Sequence, residues 1–249
     1  MKIRIYKSYG LVSEVAADII DDVIAAKPDA ILGLATGSTP IETYGQLIRR
    51  GVVDFSKVSS YNLDEYIGLA PTDPQSYHYY MKENFFDHIN IDQSKTHLPN
   101  GQATDPVAEA AAFEAKILEA GGVDVQLLGI GENGHIGFNE PADHFKRFTH
   151  VADLTESTIA ANAIHFDKKE DVPTQAISMG IGTIMSAKKI ILIASGPKKA
   201  QAIKDALQGE INPAVQASIL QCHPDVTVIL DYEAASLLEK KLDKRIQSW

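Results

Sequence analysis

The sequence is poor in cysteine, in positive charge and in long apolar runs. Its single cysteine, Cys222, cannot form an internal disulfide, so we expect a reducing, cytoplasmic location. No run of about 18 apolar residues occurs, and we therefore expect no membrane span. With 23 Lys and Arg against 33 Asp and Glu, the formal net charge is −10. Proteins that bind nucleic acid usually present a basic face to the phosphates, so nucleic acid is not an expected partner.

The sequence also lacks the motifs of common metal sites and hydrolases. Its eight histidines include no His-x-x-x-His pair, and no Gly-x-Ser-x-Gly elbow or Walker A motif is present. We therefore expect no bound metal. Neighbouring residues in a chain rarely face each other, so we interpret Cys222, which precedes His223, as a small buried apolar residue and not as a nucleophile beside its base.

Strand-like runs alternate with amphipathic stretches along the chain. The runs lie at residues 2–5, 31–35, 123–128, 189–194 and 226–230, and the amphipathic stretches lie at 41–50, 198–207 and 232–242. Apolar runs without polar alternation are typical of strands that helices cover on both faces. Repeated strand, turn and helix units predict an α/β fold with a mostly parallel central sheet. Because no linker-like composition or internal repeat is present, we expect a single domain over residues 1–249.

Two segments fall outside this pattern. Residues 69–76 form a Pro-flanked loop, and residues 139–171 show little periodicity beyond a helix predicted at 156–164. Long irregular segments in compact domains are often lids or binding loops. We therefore expect the segment 139–171 to act as a lid.

The first polar loop at a strand end is Thr36-Gly37-Ser38-Thr39, which precedes the amphipathic stretch 41–50. Ligands of open parallel sheets bind at the carboxyl ends of the strands. Small residues at such a loop let backbone N–H groups and hydroxyls point at an anion. The pattern fits a phosphate site, and it fits equally an ordinary helix cap that needs no ligand.

Two further strand ends carry charged side chains. Asp64 and Glu65 follow a weak strand predicted at 57–60, where a carboxylate is either a general base or plain surface charge. Lys198 and Lys199 stand at the start of a helix, where a cation opposes the helix dipole unless an anion is bound. Each lysine therefore either meets a phosphate or is simply solvated.

The loop 129–141 is rich in glycine and contains a literal Gly-x-Gly-x-x-Gly. A histidine, a further glycine and a proline follow within seven residues, so no helix can begin directly after the glycines and we do not interpret the loop as a dinucleotide site. The loop brings His135 close in sequence to Asn133 and Glu140, and such an imidazole suits proton transfer near neutral pH. Together with Asp64, these residues predict an enzyme that moves protons on a small phosphorylated metabolite.

Six segments of the sequence resemble the glucosamine-6-phosphate deaminase family, and they occur in the family's order. They are Leu-Ala-Thr-Gly-Ser-Thr-Pro (34–40), Asn-Leu-Asp-Glu-Tyr-Ile-Gly-Leu (62–69), Gln-Ser-Tyr (75–77), Leu-Pro-Asn-Gly (98–101), Gly-Ile-Gly-Glu-Asn-Gly-His-Ile-Gly-Phe-Asn-Glu-Pro (129–141) and Ile-Ser-Met-Gly-Ile-Gly-Thr-Ile (177–184). The resemblance implies a Rossmann-like three-layer α/β fold. It also implies the conversion of glucosamine 6-phosphate and water to fructose 6-phosphate and ammonia, with no cofactor.

The same resemblance implies roles for individual residues. Asp64 would take the proton from C2 of the sugar and return it at C1. His135 would open the sugar ring, held in place by Asn133 and Glu140. The residues implied to bind the phosphate are Thr36, Gly37, Ser38, Thr39 and Lys199.

The chain departs from the family's pattern at several positions. Asn133 stands where many members have Asp, and because an amide can still orient the histidine, we expect activity to survive. Residues 162–166 lack the arginine of the family's Asn-(Ser/Ala)-Arg-Phe-Phe, which leaves open whether His165 assists with the phosphate instead. His150 and Ala152 match positions where long, allosteric members carry basic residues, so we expect no activation by N-acetylglucosamine 6-phosphate.

Two alternative functions stay open. A 6-phosphogluconolactonase-like hydrolase shares the fold and a Gly-x-Gly-x-x-Gly-His loop, but that family lacks the Phe-Asn-Glu-Pro and Asn-Leu-Asp-Glu-Tyr segments found here. A sugar-phosphate-sensing effector domain normally follows a helix-turn-helix, whereas this chain begins with a strand-like run. We favour the deaminase, with glucosamine 6-phosphate as its small-molecule partner and a monomer as its oligomeric state.

Overall fold

The computed structural model describes residues 1–166, 168–239 and 243–248. The strands are β1 (Lys2–Tyr6), β2 (Ile31–Leu34), β3 (Ser59–Asn62), β4 (Asp64–Tyr66), β5 (Thr96–His97), β6 (Val125–Leu128), β7 (His150–Asp153), β8 (Gln175–Ser178), β9 (Lys189–Ala194), β10 (Val226–Asp231) and β11 (Ile246–Ser248). The α-helices are α1 (Tyr9–Ala26), α2 (Ile41–Arg50), α3 (Tyr77–Asn84), α4 (Pro106–Glu119), α5 (Glu156–Asn162), α6 (Ile181–Met185) and α7 (Ala200–Gln208).

Eight strands form the central sheet, in the order β11-β1-β10-β9-β6-β2-β3-β5, and every neighbouring pair is parallel. Side chains alternate between the two faces of this sheet, as β9 illustrates. Ile190 and Leu192 pack into the cluster that contains α4 and α7, whereas Ile191 and Ile193 pack into the cluster that contains α1 and α2. Helices therefore cover both faces, and the predicted Rossmann-like three-layer α/β fold is confirmed. Within the described residues, no helix is both long and apolar enough to cross a membrane. The expectation that Cys222 is buried is wrong, because its side chain is exposed while the neighbouring His223 is buried.

The amphipathic stretch 232–242 predicted a helix, and this prediction is wrong for the part that the structure describes. Up to residue 239 the chain forms successive turns, and residues 240–242 lie outside the described part. The carboxylate of Asp231, at the end of β10, accepts hydrogen bonds from the backbone N–H groups of Gly196 and Ala234. The first of these bonds ties the strand end to a neighbouring loop, and the second caps a single turn. The backbone bonds that follow change from a four-residue spacing, Ala235 to Asp231, to a three-residue spacing, Ser236 to Glu233, so the turns do not join into a regular helix.

A second, antiparallel sheet in the order β4-β8-β7 was not predicted. Its first strand is only three residues long and reads Asp-Glu-Tyr, so it shows no apolar pattern. Strand β7 lies inside the segment 139–171, and the helix predicted at 156–164 appears there as α5, followed by a 3₁₀ turn. One part of the irregular segment, the strand β7, is therefore held against β8 by regular pairing.

A buried carboxylate joins this second sheet to the helical layer. Glu114 on α4 accepts hydrogen bonds from the backbone N–H of Thr149 at 2.9 Å and from its hydroxyl at 2.6 Å. The hydroxyl of Thr183 on α6 donates to the same carboxylate at 2.8 Å. A buried carboxylate with three donors is stable only while all partners remain, because an unpaired buried polar group is costly.

We expect Glu114→Leu to lower the free energy of unfolding by about 3 kcal/mol, because three buried donors lose their acceptor. Glu119→Leu, on the exposed side of the same helix, is the matched control and should change it by less than about 0.5 kcal/mol. Urea unfolding of both variants measures the difference. Equal losses for the two would show that Glu114 is not a special anchor.

Candidate functional site

The predicted site residues come together at one edge of the central sheet. Strands β9, β6, β2 and β3 are parallel neighbours, so their carboxyl ends meet there. The segments that follow them are 195–199 after β9, 129–140 after β6, 35–39 after β2 and 63–66 after β3. The strand order also reverses between β2 and β6, and open α/β sheets bind ligands at such a reversal.

The segment 35–39, called here the anion loop, presents free backbone donors. Within the described residues, the N–H groups of Gly37, Ser38 and Thr39 have no hydrogen-bond partner. Gly37 adopts φ 91°, a left-handed conformation that favours glycine. No described side chain caps the following helix α2, so the helix-cap explanation of the two hydroxyl residues does not apply. The loop can thus donate to an anion.

Asp64 is a buried carboxylate without a donor. It is only 6% exposed, and within the described residues no group donates a hydrogen bond to it. Burial, with the nearby charge of Glu65, raises the pKa of Asp64 to about 8. A methyl group added at Gly137 would lie 3.4 Å from Oδ2 of Asp64. The carboxylate therefore closely approaches the loop 129–141, called here the histidine loop.

Glu65, the next residue, has a different environment. Its carboxylate accepts hydrogen bonds from the backbone N–H groups of Tyr66, Tyr77 and His78, at 2.8, 3.0 and 3.0 Å. Its Oε2 also lies 2.8 Å from Nδ1 of His78. The two carboxylates of the Asp-Glu pair therefore differ: Glu65 anchors the start of α3, whereas the Asp64 carboxylate has no donor in the part of the chain that the structure describes.

His135 is accompanied by a carboxylate and an amide. Its Nδ1 lies 3.5 Å from Oε2 of Glu140, a separation that is long for a hydrogen bond, so the interaction is mainly electrostatic. Asn133 donates to Glu140 at 2.9 Å and accepts from the backbone N–H of His135 at 3.1 Å. The imidazole lies over Gly131, where an added methyl group would be 2.3 Å from Cε1. The predicted triad is therefore assembled, with a glycine making room for the ring.

A fourth residue, Thr158 of α5, also donates its hydroxyl hydrogen to Glu140. Burial alone would raise the pKa of Glu140, but the neighbouring His135 and the hydrogen bonds from Thr158 and Asn133 lower it to about 2. Glu140 therefore stays ionised near neutral pH and places a negative charge beside the imidazole.

Strand β8 connects the histidine loop to Asp64. Ser178 stands opposite Asp64 in the antiparallel pair, and its Oγ accepts a hydrogen bond from the backbone N–H of Phe138 at 3.0 Å. Asn139 donates to the carbonyl of Met179 at 2.8 Å. The two proton-transfer candidates thus belong to one hydrogen-bonded unit.

The two candidate lysines differ in exposure. Lys198 is exposed, whereas Lys199 is half-buried, and burial lowers the pKa of Lys199 while the charge of Glu132 opposes that effect. Glu132 belongs to the loop 129–141, so Lys199 lies close enough to that loop to feel its charge. The hydrogen bond from the N–H of Gly196 to Asp231 helps to hold this loop.

An aromatic cluster beside Asp64 was missed in the sequence. The ring centroid of Tyr66 lies 4.9 Å from that of Tyr77 and 5.5 Å from that of Phe138. The Tyr66 hydroxyl accepts a hydrogen bond from Asn162 of α5 at 2.8 Å. Tyr66 and Phe138 stand next to predicted site residues, and that proximity was the available signal.

The sequence leaves open whether His165 assists with the phosphate. The side chain of His165, the possible replacement for the missing arginine, lies outside the described part of the structure. Ile164, its neighbour, is 81% exposed. Among the residues that the structure describes, no group of three or more His, Cys, Asp or Glu could hold a metal ion.

Curated proteins named glucosamine-6-phosphate deaminase are similar to the chain over nearly its full length. The one from Halothermothrix orenii is 53% identical, over 96% of this chain and 100% of its own. The one from Lachnoclostridium phytofermentans is 56% identical, over 94% of this chain and 100% of its own.

Solved structures are similar as well. A monomeric glucosamine-6-phosphate deaminase matches with a TM-score of 0.94 and 49% identity, over 96% of this chain and 100% of that chain. A 6-phosphogluconolactonase from Trypanosoma cruzi matches with a TM-score of 0.78 over 96% of this chain and 97% of that chain, but at 21% identity it shows a shared fold alone. The family model for glucosamine-6-phosphate isomerases/6-phosphogluconolactonase matches residues 9–228. The chain therefore belongs to the family of glucosamine-6-phosphate isomerases and 6-phosphogluconolactonases.

Proposed function

We propose that the protein is a glucosamine-6-phosphate deaminase, which converts glucosamine 6-phosphate and water to fructose 6-phosphate and ammonia. The observation that carries the proposal is that two carboxyl groups at one sheet edge have pKa values shifted in opposite directions. Asp64 has a pKa raised to about 8, while Glu140, beside His135, has a pKa lowered to about 2. Environments that push two titratable groups apart are typical of acid/base sites. The 53% identity to a deaminase over the full length of that relative supports this reaction.

Ring opening is the first step, and we assign it to His135. The imidazole takes the proton from O1 of the pyranose and delivers it to O5 as the C1–O5 bond breaks, leaving an aldehyde at C1. Ionised Glu140 stabilises the transient imidazolium, and Asn133 holds both the loop backbone and this carboxylate. The amide at position 133 thus orients the pair without adding charge.

Proton transfer between carbons follows, and we assign it to Asp64. Its carboxylate takes the C2 proton, the ammonium group of the substrate gives one proton to O1, and the electron pair of the broken C2–H bond forms a C1=C2 double bond that carries the amino group. Return of the proton from Asp64 to C1 yields a protonated imine at C2, which water hydrolyses to the ketone and ammonium. A carboxylate whose pKa is raised to about 8 is a stronger base than an ordinary carboxylate, which favours removal of the C2 proton.

The substrate phosphate is assigned to the anion loop and Lys199. Free N–H groups at Gly37, Ser38 and Thr39 support this assignment, because backbone donors at a helix start favour phosphate. Thr36 and the hydroxyls of the loop add further donors. Lys199, which is half-buried, supplies positive charge from the segment 195–199.

We also propose that the segment 139–171 is a lid over this site. Two contacts of helix α5 support the assignment, Thr158 with Glu140 and Asn162 with Tyr66. Closing of such a segment would complete the surroundings of His135 and Glu140 and would exclude water from the site. A monomer is proposed as well, supported by the monomeric relative with a TM-score of 0.94.

Asp64→Asn should lower kcat for ammonia release from glucosamine 6-phosphate by about a thousandfold, because the amide cannot accept the C2 proton. Binding of inorganic phosphate should be unchanged. Asp22→Asn, an exposed position on α1, is the matched control and should retain full activity. A wild-type protein that releases no ammonia but hydrolyses 6-phosphogluconolactone would instead be a lactonase.

The kcat/KM of the wild-type enzyme should rise with pH through the pKa of Asp64, about 8, because only the ionised carboxylate is a base. Glu65→Gln removes the neighbouring negative charge, which lowers the pKa of Asp64, and the midpoint of this rise should move down by about one pH unit. Rates measured from pH 6 to about 10 give both midpoints. A midpoint that moves upward or stays in place would contradict the assignment.

Lys199→Ala should raise KM for the substrate by about tenfold or more, because a charge-assisted contact to the phosphate is lost. Lys198→Ala removes an equal charge from the exposed neighbouring position and should leave KM within about twofold. Steady-state kinetics of the two variants make the comparison. Equal effects would mean that general positive charge, and not a specific contact, attracts the substrate.

A further inference from the structure

Tyrosine hydroxyls hold the carbonyl groups of the anion loop. The pairs, each written with the donor first, are Tyr44 to Ala35 at 2.6 Å, Tyr80 to Gly37 at 2.6 Å and Tyr9 to Thr39 at 2.8 Å. The three tyrosines belong to the three helices α2, α3 and α1. The loop is therefore attached to three separate helices through its own acceptors.

These contacts separate the acceptors of the loop from its donors. Carbonyl oxygens carry partial negative charge and repel a phosphate, whereas N–H groups attract it. The carbonyls of Gly37 and Thr39 are occupied by hydroxyls of the protein, while the N–H groups of Gly37, Ser38 and Thr39 have no partner within the described residues. The loop is thus already arranged with its donors available.

Tyr9 uses both functions of its hydroxyl. It donates to the anion loop and accepts a hydrogen bond from the backbone N–H of Glu42 at 3.2 Å, in the first turn of α2. Burial raises the pKa of Tyr80 and of Tyr44, so these hydroxyls remain protonated donors under all physiological conditions. Tyr44 is fully buried and stacks on Phe85, which gives it a separate role in the core.

Helix α3 also connects the loop to the strand of the base. At its start, the N–H groups of Tyr77 and His78 donate to Glu65, which directly follows Asp64. One turn later, Tyr80 donates to Gly37. A single short helix therefore sets the separation between the phosphate donors and the carboxylate that would act on the sugar.

We propose that Tyr9 and Tyr80 are positioning residues that preorganise the anion loop for the phosphate of the substrate. This inference rests on the proposed function, because it names how the same site obtains its affinity. Neither hydroxyl needs to touch the substrate. Without them, binding must order the loop and turn its carbonyls away from the anion, and that cost weakens affinity without changing the chemical step.

The test uses Tyr9→Phe, Tyr80→Phe and the variant that combines them, since phenylalanine removes the hydroxyl and keeps the ring. Each single change should raise KM for glucosamine 6-phosphate about threefold to tenfold and leave kcat within about twofold. Calorimetric titration with inorganic phosphate should show a weakening by the same factor. Tyr79→Phe is the matched control, because Tyr79 lies on the same helix and its hydroxyl has no partner among the described residues.

The phosphate titration separates this inference from the proposed function. If the combined variant is less stable to urea but binds phosphate and substrate as the wild type does, the hydroxyls serve stability alone and the inference is wrong. If the wild type binds phosphate but releases no ammonia, the proposed function fails, and weaker phosphate binding by the variants still supports the role of the hydroxyls. A wild type that binds no inorganic phosphate would overturn the inference, and ammonia release alone would then decide the proposed function.

Discussion

Parallel pairing of β2 with β3 and with β6 is the interaction on which the rest of the site depends. The register places Leu34 opposite Asn62, so the anion loop and Asp64 leave the sheet at the same level. On the other side, Gly33 pairs with Gln126, and an added methyl group at Gly33 would lie 2.0 Å from that side chain. The side chain of Gln126 thus occupies the space beside Gly33, and the register of the two strand pairs brings three loops to one edge.

The electrostatics of the site are local and do not follow the net charge of −10. At one sheet edge, the pKa of Asp64 is raised and the pKa of Glu140 is lowered, because among the described residues the first carboxylate has no hydrogen-bond donor and the second has several. Burial without a hydrogen bond favours the neutral form of Asp64, whereas the imidazole, an amide and a hydroxyl favour the ionised form of Glu140. An acidic protein can hold a phosphate in the same way, because backbone N–H groups a few ångströms away outweigh distant, screened charges.

The contacts that support the site are made mostly by elements far from it in sequence. Ser178 stands opposite Asp64 and also bonds the backbone of the histidine loop. Helix α3 attaches to Glu65 at its first turn and to the anion loop through Tyr80. A site built on such cross-connections is held by its neighbours, which is how protein side chains keep catalytic groups within narrow geometric limits.

Local sequence was sufficient for the central sheet and for the main site loops, because buried parallel strands are short apolar runs and the loops after them carry glycine and polar residues. It was insufficient for the second sheet, since the Asp-Glu-Tyr of β4 becomes a strand only by pairing with β8, more than a hundred residues later. The same limit applies to Asp64 and Glu65, whose side chains look alike in sequence. Only the tertiary structure decided which carboxylate is satisfied by backbone donors and which is left unpaired, because burial and hydrogen bonding depend on neighbours that the local sequence does not contain.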